Sequence, residues 1–167
     1  MRGFFVSNQI LFRQFGQRVV QPVLALFPFR DGPVGLNLVL GTAAQETGLQ
    51  YLAQYPVGPA LGPHQIEPAT HDDLLDNFVA FRPELKHVLD SLAAPGVPRD
   101  TQLIWNLAYS TAICRLILYR SPEPLPLRAD PALLGAYWKA HYNTAGGAGT
   151  VDEFVSNFAR YIGDPLT

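Results

Sequence analysis

The segment RDTQLIWNLAYSTAICRLILY, residues 99–119, most limits what this chain can fold into. Leu103, Leu107, Thr111, Cys114 and Leu118 recur every three or four positions, the period that lines up side chains on one face of an α-helix. Sustained alternation of apolar and polar residues, the mark of a half-buried strand, is missing, and no Asn-Gly or Asp-Gly hairpin lies between β-branched runs. The chain is therefore expected to be all-α, one domain of about six to eight helices, with 100–119 central to its core. At 167 residues it can bury a core that needs neither disulfides nor metal.

Caps and breakers divide the rest. Ser7 is placed to cap a first helix carrying Ile10, Leu11, Phe15 and Val19, which Pro22 should kink or end. A second helix is expected from Pro33 or Gly35 to about Ala53, with Val39, Ala43 and Glu46 on one face, followed by a loop over 55–69. Thr70 with Asp73 has the form of a capping box opening a helix toward Phe81. Pro83 suits the first turn of the next helix, through about Ala93, and PGVP at 95–98 reads as a linker. The proline-rich stretch 121–131 reads as an extended connection. Asp130 can cap a helix from Pro131 to about Tyr142. After a turn over 143–149, Thr150 and Glu153 form a second capping box, opening a helix whose apolar side is Phe154, Phe158 and Ile162.

Charge narrows the partners. The formal net charge is -2 and no basic run occurs, so the electrostatic footprint of a nucleic-acid binder is missing. The one cysteine, Cys114, lies among apolar neighbours and reads as a small buried hydrophobe. Residues 1–29 are apolar but interrupted by Asn8, Gln9, Arg13, Gln14, Gln17 and Arg18. They fit neither a signal peptide nor a membrane span, which needs about 20 mostly apolar residues. They read either as a core-facing helix or as an apolar docking segment ahead of a 30–167 domain.

Glu46 is the candidate for chemistry. A carboxylate on an apolar helix face has its charged form disfavoured by burial, which raises its pKa toward that of a general acid working near neutrality. An acid on a helix is ordinarily solvated, so the context matters. Gly58, Pro59, Gly62 and Pro63 let backbone approach a ligand closely, and Gln65 offers both a donor and an acceptor. A hydrolytic pair needs a second acid about 5 to 9.5 Å away. Asp72 and Asp73 already have helix-terminus roles, which leaves Glu67. His64 and His71 match no compact metal pattern. No metal or cofactor is expected; His64 reads as a loop residue and His71 as exposed in a first helical turn.

Gln45-Glu46-Thr47-Gly48, then Gly62-Pro63-His64-Gln65-Ile66, then a helical Asn106, then Tyr142-Asn143, resemble the lytic transglycosylases of the goose-type lysozyme superfamily. The order Gln65–His71, Tyr119–Pro126 and Tyr142–Phe154 is similar to small phage virion proteins of that type. Thr47 stands where the family has Ser, and Pro63-His64 where it has Leu-Met.

The resemblance implies a lysozyme-like fold and cleavage of the β-1,4 bond between N-acetylmuramic acid and N-acetylglucosamine in peptidoglycan. It makes Glu46 the acid and base, with His64, Gln65, Ile66, Asn106, Tyr142 and Asn143 as substrate-binding residues. It places the chain in a virion, reaching the host periplasm or cell wall as the genome enters. Peptidoglycan strands and other virion proteins would be its partners, the latter met by the N-terminal segment. A catalytically silent virion component, of the tail or internal core, would use the same scaffold.

Overall fold

The computed structural model describes residues 2–143 and 147–167, with side chains from residue 8 onward. The expected all-α fold is what forms: eight helices and no strand among the described residues, only isolated bridges joining Ala53 to Leu61 and Leu61 to Ile66. The helices are α1 (Arg2–Phe15), α2 (Gly32–Glu46), α3 (Pro68–Asn77), α4 (Pro83–Leu92), α5 (Arg99–Trp105), α6 (Leu107–Tyr119), α7 (Pro131–Trp138) and α8 (Val151–Tyr161). Among the described residues no helix is long and apolar enough to cross a membrane.

Two helices form the centre. Every residue from Gly35 to Ala44 of α2 and from Tyr109 to Leu118 of α6 is buried. Both are enclosed on all sides, unlike the one-sided stripe of a surface helix. Helix α2 packs on α6, α7 and α8, and α4 and α5 pack on α6. Phe154 of α8, fully buried, inserts where only glycine leaves room: a Cβ at Gly41 would lie 2.3 Å from its ring, and one at Gly135 3.0 Å. Filling such a site buries a side chain worth about 1.5 to 3 kcal/mol.

Several local expectations hold. Asp130 accepts bonds from the amides of Ala132 and Leu133, and the Thr150/Glu153 capping box closes in both directions. Helix α4 begins at Pro83 as read. Cys114 is fully buried.

Other expectations need correction. The first helix already runs from Arg2, so Ser7 lies inside it; a π-helical turn, Gly16–Val20, and a last turn, Gln21–Leu24, carry it past Pro22. Phe12, Phe15, Val20, Val23, Leu24 and Phe27 of this segment belong to the core, and among its described side chains Ile10, Leu11 and Leu26 are the exposed large apolar ones. Helix α2 stops at Glu46 rather than near Ala53, because Gly48 and Leu49 both take positive φ, 57° each. Helix α3 begins at Pro68, so Thr70 and Asp73 make no capping box; Asp73 instead accepts from Asn77 and pairs with Arg120. The expected single helix over 100–119 is broken at Asn106. This residue ends α5 and caps α6 by accepting from the Tyr109 amide, the competition for backbone bonds that Asn offers.

Candidate functional site

Glu46 ends α2, half-buried, at the mouth of the 47–67 loop. Burial pushes its carboxyl up from 4.5 to about 7, partly offset by the Trp138 indole, whose Nε1–H donates to Oε1 at 3.2 Å. Trp138 is itself buried and leans on Phe154 at 5.5 Å between ring centroids, so the donor is fixed in place. A lone donor on a half-desolvated acid gives a group that is populated in both protonation states near neutrality.

Two further aromatic side chains flank this acid. Tyr51 donates its hydroxyl to the Glu46 carbonyl at 2.8 Å, and its phenol is pushed up by burial, then by the charges of Glu46 and Tyr161. Tyr142 lies close enough for burial, Cys114 and Glu46 together to raise its phenol well above the ordinary value. Its hydroxyl donates to the His64 carbonyl at 2.7 Å and so ties the loop to the Glu46 neighbourhood. No second carboxylate contributes to the shift of Glu46 among the described residues. Glu67, the acid left open by the sequence, is exposed at the start of α3.

The loop is built by a few specific bonds. Thr47 Oγ1 donates to the Pro63 carbonyl at 2.9 Å and accepts from the Leu49 amide, so a hydroxyl at this position joins the end of α2 to the loop. Gly62, at φ 74°, passes so close to α5 that a Cβ would lie 1.9 Å from the Leu103 carbonyl oxygen. Its amide bonds to the Leu52 carbonyl, and Leu61 and Ile66 exchange two backbone bonds.

The structure brings only part of the expected set together. Glu46, Tyr142 and the backbone of His64 are neighbours. The His64 side chain points inward: it is fully buried, its Nδ1 lies 3.2 Å from Ser110 Oγ, its Nε2 has no partner, and burial pushes it down to about 3. Gln65, half-buried at φ 49°, folds its amide back onto the Gly62 carbonyl at 2.9 Å. Ile66 belongs to the core.

Asn106 spends its amide on Leu92, Gln102 and the Tyr109 amide, away from Glu46. Asn143 accepts from Lys139 Nζ at 2.7 Å in a π-helical turn that continues α7. It lies beside Gly149, where a Cβ would also meet Trp138 and Gln45. His71 is not exposed as read: it is buried between Asp72 and the Tyr109 hydroxyl, which bond its two ring nitrogens at 2.8 and 2.9 Å.

Sequence reasoning missed two residues, Trp138 as the donor to Glu46 and Tyr51 as its neighbour. Nothing local to Trp138 in the sequence points to an acid 92 positions earlier. No family model, curated protein or solved structure matches this chain.

Proposed function

We propose that this chain is a peptidoglycan-cleaving lytic transglycosylase carried by a phage particle, with Glu46 as its single acid and base. The carrying observation is one half-buried carboxyl, raised to about 7 and donated to by Trp138, with no second acid contributing. Such a group suits a reaction in which the same residue gives up a proton and then takes one back.

Protonated Glu46 donates to the glycosidic oxygen as the bond to the muramoyl C1 breaks. The resulting carboxylate, held by the Trp138 N–H, accepts the proton of the muramoyl 6-hydroxyl as that oxygen attacks C1. The product is a 1,6-anhydro sugar, and Glu46 is again protonated, so no water and no second carboxylate enter the balance. Tyr51, 40% exposed, offers a ring face beside the acid on which a sugar can stack. Delivery by a particle brings the chain to the host periplasm or cell wall as the genome enters.

Mass spectrometry of peptidoglycan digests tests this reading. Wild type should release anhydro-muropeptides, and Glu46→Gln should release none while keeping its helical spectrum. A silent virion scaffold is the second reading, favoured by the inward turn of His64 and the self-bonded Gln65 amide. Absence of any product from well-folded wild type would decide for the scaffold, and reducing-end products would indicate hydrolysis.

A further inference from the structure

Consecutive residues on two helices divide the molecule between Glu46 and a cavity elsewhere in the fold. Cys114 and Trp138 feel the Glu46 carboxylate, whereas their neighbours Arg115 and Tyr137 line a space of about 690 Å3 that Glu46 does not reach. Arg30, Arg82 and Arg120 line it too. Four of the chain's twelve basic residues therefore meet around one cavity in a protein of net charge -2.

Their charges are unequally balanced. Asp31 takes the Arg115 guanidinium in a buried two-point pair at 2.6 and 2.7 Å, and Asp73 pairs with Arg120. Arg30 is exposed, and Arg82 lies 3.8 Å over the Phe78 ring with Nη1 donating to the Phe78 carbonyl. Neither has a carboxylate partner among the described residues. Glu123, the other acid at the rim, pairs with His141.

One observation points to a ligand beyond this surplus. Arg115 is 2% exposed and its Nη1 has no acceptor, a cost that native interiors rarely leave standing. Asp31 occupies the N-cap position of α2 but makes no side-chain bond to its first turn.

We infer that this cavity binds a phosphate-class oxyanion, held by Arg30 and Arg82 at its mouth and completed by Arg115 against Tyr119. Guanidinium forks match an anion with several oxygens, which a halide cannot exploit. The rim is preorganised by Pro122 and Pro124 and by the Tyr137 hydroxyl, which donates to the Glu123 carbonyl at 2.9 Å.

The test is an NMR titration of the full chain with inorganic phosphate against sodium chloride at matched ionic strength. Phosphate should give saturable shifts at Arg82, Arg115 and Tyr119 that chloride does not. Arg30→Ala and Arg82→Ala should each weaken binding roughly ten-fold, the effect of losing one charge-assisted contact. Phenyl phosphate binding more tightly than the free ion would identify an ester-borne phosphate as the ligand, and the reverse order a free one. Shifts that never saturate, that chloride reproduces, or that survive in a folded double variant overturn the inference. If Arg82→Ala does not fold, the exposed Arg30→Ala decides alone. The readout is independent of any activity at Glu46.

Discussion

Replacing Glu46 by Gln should stabilise this fold at neutral and alkaline pH while removing its acid. In the unfolded chain the carboxyl loses its proton around 4.5, but in the folded chain it holds it to about 7. Below the lower value both states are protonated and the residue costs nothing. Between the two, the unfolded state has shed a proton that the folded state keeps, so stability falls as pH rises, by a total on the order of 3 kcal/mol above the upper value.

Gln has the same shape, carries no charge and still offers Oε1 to the Trp138 indole. The variant should therefore gain about 2 to 3 kcal/mol at pH 8 and almost nothing at pH 4. His64 acts in the opposite sense. Pushed from 6.5 to about 3, it contributes stability present above the unfolded value and lost as pH falls toward the folded one. The two trends mask each other in wild type, so the difference between variant and wild type isolates Glu46. Urea unfolding at pH 4, 6 and 8 measures it. A variant no more stable than wild type at pH 8, or equally stabilised at pH 4, would refute the desolvated acid.

Trp138→Phe removes the one donor that favours the charged carboxylate, so the Glu46 pKa should rise by roughly one unit, read from the carboxyl carbon by NMR; an unchanged or lower value counts against the bond. Gly62→Ala forces a Cβ against the Leu103 carbonyl at positive φ and should cost more than about 2 kcal/mol in thermal unfolding, whereas a neutral result would mean the loop does not press on α5. Thr150→Ala opens the capping box of α8 and should cost about 1 kcal/mol, seen as faster amide exchange in its first turn. Tyr142→Phe should loosen the loop by about 1 kcal/mol through the lost bond to the His64 carbonyl, measured as increased exchange around residues 61–66; unchanged exchange there would show the tether to be idle.

What the sequence by itself determined are features settled within one helical turn. Asp130 and Thr150 with Glu153 cap as read because an N-cap bond spans only two or three residues, and Pro83 opens α4 because its missing N–H costs nothing there. The all-α class and the burial of Cys114 follow from apolar period alone. Short-range signals also misled. Asn106 sits in an unbroken helical pattern, yet its amide finds Leu92 and Gln102 and splits the helix.

Only the tertiary structure decided the chemistry of Glu46 and the fate of His64. An acid's pKa depends on the water removed from it and on the donors around it. For Glu46 these come from α7, far along the chain, and from a loop drawn in by Thr47 and Tyr142. His64 looked like a ligand-facing loop residue, but Gly62 lets the loop close down on α5, next to Ser110 of α6, and carries the imidazole into the core. The arginine cavity shows the same dependence: Arg30, Arg82, Arg115 and Arg120 form no run in the sequence, and packing gathers their charges into one place.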